Sequence, residues 1–168
     1  MGCIYSCKNS KPPGSEPHGS KPHGSKYEEA SLSPIPFVPP ITSGTVIKVY
    51  DGDTITITSK LPYKTSPLYK FSVRLNGIDC PEIKGKNETE KEVAKIARDS
   101  LSKKIMGNVI QLKNVQTEKY GRVLAEVWYG GVCMNSWLVK QRLAVEYDGG
   151  TKICPKCWKD YYIKGNMN

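Results

Sequence analysis

The sequence predicts a small α+β domain in which a mostly antiparallel sheet curls into a barrel, carried behind a long polar tail. Three observations predict it. β-Branched runs that alternate polar and apolar come first, an amphipathic stretch with helical spacing follows, and two further strand-like runs and a short helical run come last. Strands, then a helix, then strands and a second helix is the order of an α+β chain whose mostly antiparallel sheet curls into a barrel.

Residues 44–50 and 54–59 read as two strands on either side of Asp51-Gly52, a dipeptide that favours a tight hairpin and leaves Asp53 at the mouth of the turn. In the next strand Phe71, Val73 and Leu75 alternate with Ser72, Arg74 and Asn76, so Arg74 points away from the apolar side. The chain beyond it carries Asp79 into a loop that begins at Pro81. Residues 87–106 read as the main helix: Val93, Ile96, Ala97, Leu101 and Ile105 form one stripe. Asn87 with Glu90, or Thr89 with Glu92, offers a capping box, and Gly107 can end the helix. Residues 109–112 and 123–128 supply two more strands, Gly130-Gly131 a turn, and 135–143 a short second helix.

The 168-residue chain has 38% hydrophobic residues, enough for one core, but they are unevenly spread. The net charge is +9, and residues 1–43 hold four Lys against three Glu, so eight of the nine charges fall in residues 44–168. A basic folded part suits a polyanionic partner. No apolar run approaches the roughly 20 residues of a membrane-spanning helix, and the N-terminus lacks the apolar centre of an export signal. The expectation is a cytosolic chain whose six cysteines are mostly reduced thiols.

Met1-Gly2-Cys3-Ile4-Tyr5-Ser6 fits the pattern for myristoylation of Gly2, with Cys3 and Cys7 as palmitoylation candidates. One myristoyl chain binds membrane marginally, so a second acyl group is what makes the anchor durable. Residues 1–9 are read as this lipidation segment, placing the protein on the cytosolic face of a membrane in a eukaryotic cell or a virus of eukaryotes. Residues 10–43 are a Pro/Gly/Ser/Lys-rich linker in which Pro17-His18-Gly19-Ser20-Lys21 recurs as Pro22-His23-Gly24-Ser25-Lys26. Both histidines fall in that repeat, so residues 44–168 offer no histidine for acid–base work.

Asp51-Gly52-Asp53-Thr54, Arg74, Asp79-Cys80-Pro81-Glu82 and Lys119-Tyr120-Gly121-Arg122 place carboxylates and arginines in short strand-flanked segments. Singly, each has an ordinary explanation as a turn residue or a surface charge. Together they are what metal-assisted phosphodiester cleavage needs. Carboxylate oxygens hold a hard cation, another carboxylate takes a proton from water, and guanidinium forks neutralise charge on phosphoryl oxygens.

In this order, with Phe71-Ser72-Val73-Arg74-Leu75, Val123-Leu124-Ala125 and Asn135-Ser136-Trp137-Leu138-Val139, the segments resemble the staphylococcal nuclease (thermonuclease) family over residues 44–147. The resemblance implies a five-stranded OB-type barrel with two to three packed helices. It implies Ca²⁺ held by Asp53, Asp79 and the main-chain carbonyl of Cys80, which stands where the family usually has Thr. It makes Glu82 the general base, Arg74 and Arg122 the pair that grips the scissile phosphate, and Lys119, Tyr120 and Tyr147 contacts to neighbouring phosphate and base. The implied activity is Ca²⁺-dependent endonucleolytic hydrolysis of DNA and RNA, single-stranded by preference and with little sequence specificity, by a monomer that leaves 3′-phosphate ends.

Residues 148–168 do not resemble the family's long basic terminal helix. They carry Cys154-Pro155-Lys156-Cys157, half of a tetrahedral zinc site, followed by Trp158, Tyr161 and Tyr162. The reading that leads is an aromatic segment packed on the barrel. The rival function is an inactive OB-type nucleic-acid-binding module held at a membrane, although clustered carboxylates without a cation would repel phosphate.

Overall fold

A computed structural model describes residues 35–85, 87–118 and 120–167. In chain order the elements are β1 (Ser43–Val49), β2 (Thr54–Lys60), β3 (Leu68–Leu75), β4 (Ile78–Asp79), α1 (Glu88–Ile105), β5 (Val109–Thr117), β6 (Val123–Tyr129), β7 (Val132–Cys133), α2 (Met134–Lys140), β8 (Val145–Glu146) and α3 (Trp158–Lys164). The lipidation candidates Gly2, Cys3 and Cys7, and Lys119, lie outside the described residues.

β1, β2 and β3 form an antiparallel meander. β1 also pairs with β5, β5 pairs with β6, and β6 runs parallel to β3 through Val73–Val123 and Leu75–Ala125, closing five strands into a barrel. The alternation seen in sequence sets the inside. Val46, Ile55, Ile57, Val73, Leu75, Ile110, Ala125 and Val127 are buried. β1 slips register between Val46 and Lys48, and β5 between Lys113 and Gln116, the latter with Asn114 at φ 51°. Such bulges bend a strand so that it can serve two partners around a small barrel.

The main helix packs with Val93, Ala94, Ala97, Leu101 and Ile105 buried; of the expected stripe, Ile96 instead reaches solvent. Each fully buried Val, Leu or Ile contributes roughly 1.5–3 kcal/mol. Asn87 caps the helix by accepting from the Thr89 N–H at 3.0 Å. The reciprocal half of the capping box does not form. Glu90 accepts from the Glu82 N–H at 3.2 Å, and Glu92 pairs with Lys159, so the helix start spends these side chains on neighbouring segments. Gly107, at φ 74°, ends the helix and donates its N–H to the Val46 carbonyl at 2.9 Å.

Three further expectations are corrected. Asp51-Gly52 is not a two-residue hairpin: Tyr50 N–H donates to the Thr54 carbonyl across the wider connection 50–53. Gly52 is required there by contact: an added Cβ would lie 2.8 Å from Cys80 Sγ and 2.9 Å from Ala97 Cβ. β5 runs to Thr117, well past residue 112, because its bulge lets it continue along β6. The second helix ends at Lys140, since Arg142 takes φ 57°.

Asn135, at the start of α2, is 4% exposed. Its Oδ1 accepts from the Val127 N–H at 2.9 Å, and its Nδ2 donates to the Asn76 carbonyl at 2.7 Å. It thereby ties β6 to the turn that leads into β4. In the C-terminal segment, α3 packs on α1, with Trp158 buried and edge-on to Tyr161. The four described cysteines are free thiols, and among the described residues no three His, Cys, Asp or Glu side chains group as a metal cage.

Candidate active site

Sheet register builds the site. The β2–β3 ladder sets Thr54 opposite Arg74, and Leu75 N–H donates to the Asp53 carbonyl at 2.8 Å. Asp53 and Arg74 therefore arrive side by side. Gly77, at φ 77°, turns the chain into β4, where Asp79 pairs with Val145 of β8. Asp79 thus reaches the same end of the barrel, and both carboxylates are buried, at 5% and 3% exposure.

Arg74 joins them. Its Nη1 lies 2.8 Å from Asp53 Oδ2, its Nη2 lies 3.2 Å from Asp79 Oδ1, and Nη2 also donates to the Ile78 carbonyl at 3.4 Å. Thr54 Oγ1 donates to Asp53 Oδ1 at 2.8 Å. Burial pushes the Asp53 carboxyl above its ordinary value despite Arg74, with Asp79 adding repulsion. Burial also opposes the charged form of Arg74, but Asp53 and Asp79 outweigh it and hold the guanidinium above its usual value. Asp51 is raised as well, by burial and then by the charges of Asp53 and Glu82. Its Oδ1 is buried with no hydrogen-bond partner among the described residues.

Arg122 enters from the turn after β5. Gly121, at φ 79°, lets Glu118 and Arg122 face each other, with Nε at 2.6 Å from Glu118 Oε2 and Nη2 at 2.8 Å from Oε1. Glu82 extends from the loop after Pro81 with its side chain 64% exposed. Tyr120 is 73% exposed at the rim, while Tyr147 donates its N–H to the Gly77 carbonyl and its hydroxyl to the Gly150 carbonyl. Cys80 is buried, and burial followed by the charges of Asp53 and Asp79 pushes its thiol far up, which disqualifies it as a nucleophile.

These residues line one cleft of about 430 Å³. Asp53, Arg74, Asp79, Cys80, Glu82, Tyr120, Arg122 and Tyr147 all border it, as do Asp51, Thr54, Glu118 and Lys152. The last four were not assigned from the sequence. Thr54 and Glu118 carried weak signals: a hydroxyl beside Asp53, and a carboxylate four residues before Arg122. Lys152 had none, being a lysine in the segment where the resemblance stopped.

The donor set fits a hard divalent cation. Two adjacent buried carboxylates share the Arg74 guanidinium, with the Lys152 ammonium 3.0 Å from Asp79, and an oxygen of a third carboxylate, Asp51, is buried beside them without a donor. A cation of six to eight oxygens takes two such side chains and completes its shell with main-chain carbonyl, water and substrate oxygens. An exposed carboxylate and two arginines in the same cleft form an arrangement that can accept a proton and neutralise an anion.

Residues 72–160 match the family described as staphylococcal nuclease homologue, a match that runs beyond Tyr147 into the C-terminal segment. The chain is 33% identical over 101 residues to the thermonuclease of Staphylococcus hyicus, covering 59% of this chain and 56% of that protein. It is 33% identical over 87 residues to the probable endonuclease LCL3 of Candida glabrata, covering 48% of this chain and 33% of that protein. It is 27% identical over 135 residues to the probable endonuclease C19F8.04c of Schizosaccharomyces pombe, covering 67% and 59%. The matched part spans between a third and three-fifths of these relatives. The family match takes in just over half of the chain, and with the closed barrel it establishes that the chain belongs to the staphylococcal nuclease homologue family.

Proposed function

We propose that this protein is a Ca²⁺-dependent endonuclease that hydrolyses phosphodiester bonds in DNA and RNA, leaving 3′-phosphate ends. The observation that carries this reading is the Arg74 fork holding Asp53 and Asp79 in the cleft that Glu82 and Arg122 also border. Asp53, Asp79 and the Cys80 carbonyl would hold the ion. Bound there, Ca²⁺ supplies charge neutralisation and polarises a phosphoryl oxygen.

The chain's own residues do the rest. Glu82, solvated and on the rim, would accept a proton from the attacking water as the new P–O bond forms, while the bond to the 5′ oxygen breaks and that oxygen takes a proton from solvent. Arg122 keeps Nη1 outside its pair with Glu118, and Arg74, whose two terminal nitrogens are engaged by Asp53 and Asp79, borders the same cleft; both would neutralise phosphoryl charge as it builds up. Tyr120 and Tyr147 border the cleft, and stacking of a base on either ring would tolerate any base and favour unpaired strands. Acylation at Gly2, with Cys3 and Cys7, would hold a monomeric enzyme at the cytosolic face of a membrane; the N-terminal sequence pattern supports this.

One observation favours the second reading, an inactive nucleic-acid-binding module: Arg74 and Lys152 already neutralise the acidic pair from within the chain. Incubating the full chain with heat-denatured DNA, with Ca²⁺ or with chelator, decides between them. Calcium-dependent shortening that falls by about 10²- to 10⁴-fold in Glu82→Gln is expected for the enzyme. Binding without shortening would install the module in its place.

A further inference from the structure

Lys152 belongs to the segment after β8, yet its ammonium sits inside the candidate site. Nζ lies 3.0 Å from Asp79 Oδ2 and 3.4 Å from Glu82 Oε1. The Cys154 thiol meets the same Oδ2 at 3.7 Å, while Arg74 holds Oδ1. Both oxygens of Asp79 are therefore engaged from within the chain. We infer that Lys152 is a built-in counter-ion of the acidic pair, which a divalent cation must displace from Asp79 in order to bind, and that the same displacement releases Glu82.

This inference rests on the divalent-cation reading of Asp53 and Asp79. Of the two cationic side chains on Asp79, only one is placed to withdraw. Arg74 has a side chain 17% exposed, holds two carboxylates and a main-chain carbonyl, and stands in the β2–β3 ladder. Lys152 is 45% exposed, on a flexible four-carbon stem, just after Gly149 at φ 93° and Gly150. A dication and an ammonium on one carboxylate oxygen repel each other strongly in a partly buried site, so the two occupy it in turn. Because one ammonium bridges Asp79 and Glu82, its departure frees the base at the moment the cation arrives. The proton acceptor is thereby coupled to cation occupancy.

Calorimetric titration of the full chain with CaCl₂ tests this. Lys152→Met is expected to bind Ca²⁺ about tenfold or more tightly than wild type, and Lys152→Gln to move the same way. Lys152→Arg, which keeps the charge, is expected to stay near wild type, and Asp79→Asn to lose binding. Added Ca²⁺ should also raise the melting temperature of Lys152→Met more than that of wild type, a readout independent of cleavage. Equal or weaker affinity in Lys152→Met and Lys152→Gln overturns the inference alone. Absence of Ca²⁺ binding in wild type and variants alike overturns the cation reading, and this inference with it.

Discussion

Asp79 is held from two sides, by Arg74 of the barrel and by Lys152 of the C-terminal segment, and the two grips differ in kind. Arg74 is placed by seven paired positions between β2 and β3, is mostly buried, and bonds two carboxylates at once. Lys152 reaches in from a loop after Gly149-Gly150, half in solvent. A ladder fixes a side chain as firmly as it fixes the backbone, whereas a loop offers a charge that can leave. The barrel half of the cleft is preorganised; the C-terminal half is adjustable.

Arg74→Met is expected to have the largest effect on the barrel half. It strands the buried Asp53 carboxylate and leaves Asp79 to Lys152 and the Cys154 thiol, and removing one partner of a buried ion pair costs about 3–5 kcal/mol. Urea unfolding in chelator measures it. A loss under about 1 kcal/mol would mean that the acidic pair finds other partners and that the ladder commits nothing.

Gly52→Ala probes the same half by packing. Its Cβ would press on Cys80 Sγ and Ala97 Cβ, and neither the barrel loop nor α1 can retreat without disturbing the core. Overpacking of this kind costs about 1–3 kcal/mol. The same variant would also push Asp51 and Asp53 off position, so an unchanged unfolding midpoint would show the loop to be looser than its contacts imply.

What the sequence encodes locally, and what it does not, follows the same division. Arg74 was readable as the outward residue of an alternating strand, and Asp53 and Asp79 as carboxylates at strand ends, because strand periodicity and turn residues are local signals. Gly52 was legible as a special glycine but for the wrong reason: a dipeptide pattern shows turn propensity, while its close approach to Cys80 is a tertiary fact. Glu90 matched a capping box and instead bonds the Glu82 N–H, because the loop offered a better donor than the helix start. Lys152 was illegible. Its partner lies seventy-three residues upstream, and nothing in the local pattern of a loop encodes which distant carboxylate a flexible lysine reaches.

Asp51→Asn perturbs the barrel half more gently. Burial and the charges of Asp53 and Glu82 raise its carboxyl, so the folded chain takes up that proton more readily than the unfolded one. The sign follows: this group's contribution is favourable below the ordinary carboxylate value of 3.8 and is lost as pH rises through the higher folded value. Asn removes that loss. In chelator the variant is expected to be more stable than wild type at neutral pH by under about 1 kcal/mol after solvent screening, with a flatter stability curve above the ordinary value. Unfolding midpoints at several pH values check it, and a destabilised variant would mean that the charge is already compensated.

Cys154→Ala should do least, and its smallness carries weight. The residue is exposed although its thiol is partly covered, and its contact with Asp79 Oδ2 is a long sulfur–oxygen bond of 3.7 Å. Burial, and then the Asp79 charge, raise it above the usual thiol value, so it stays protonated as a weak donor and brings no charge to the acidic pair. Removing it is expected to change stability by no more than about 0.5 kcal/mol, the range of an ordinary surface substitution. If Cys154→Ala instead cost as much as Gly52→Ala, the C-terminal segment would be fastened to Asp79 as firmly as the barrel is. Lys152 would then have no freedom to withdraw, and the difference between the two halves of the cleft would vanish.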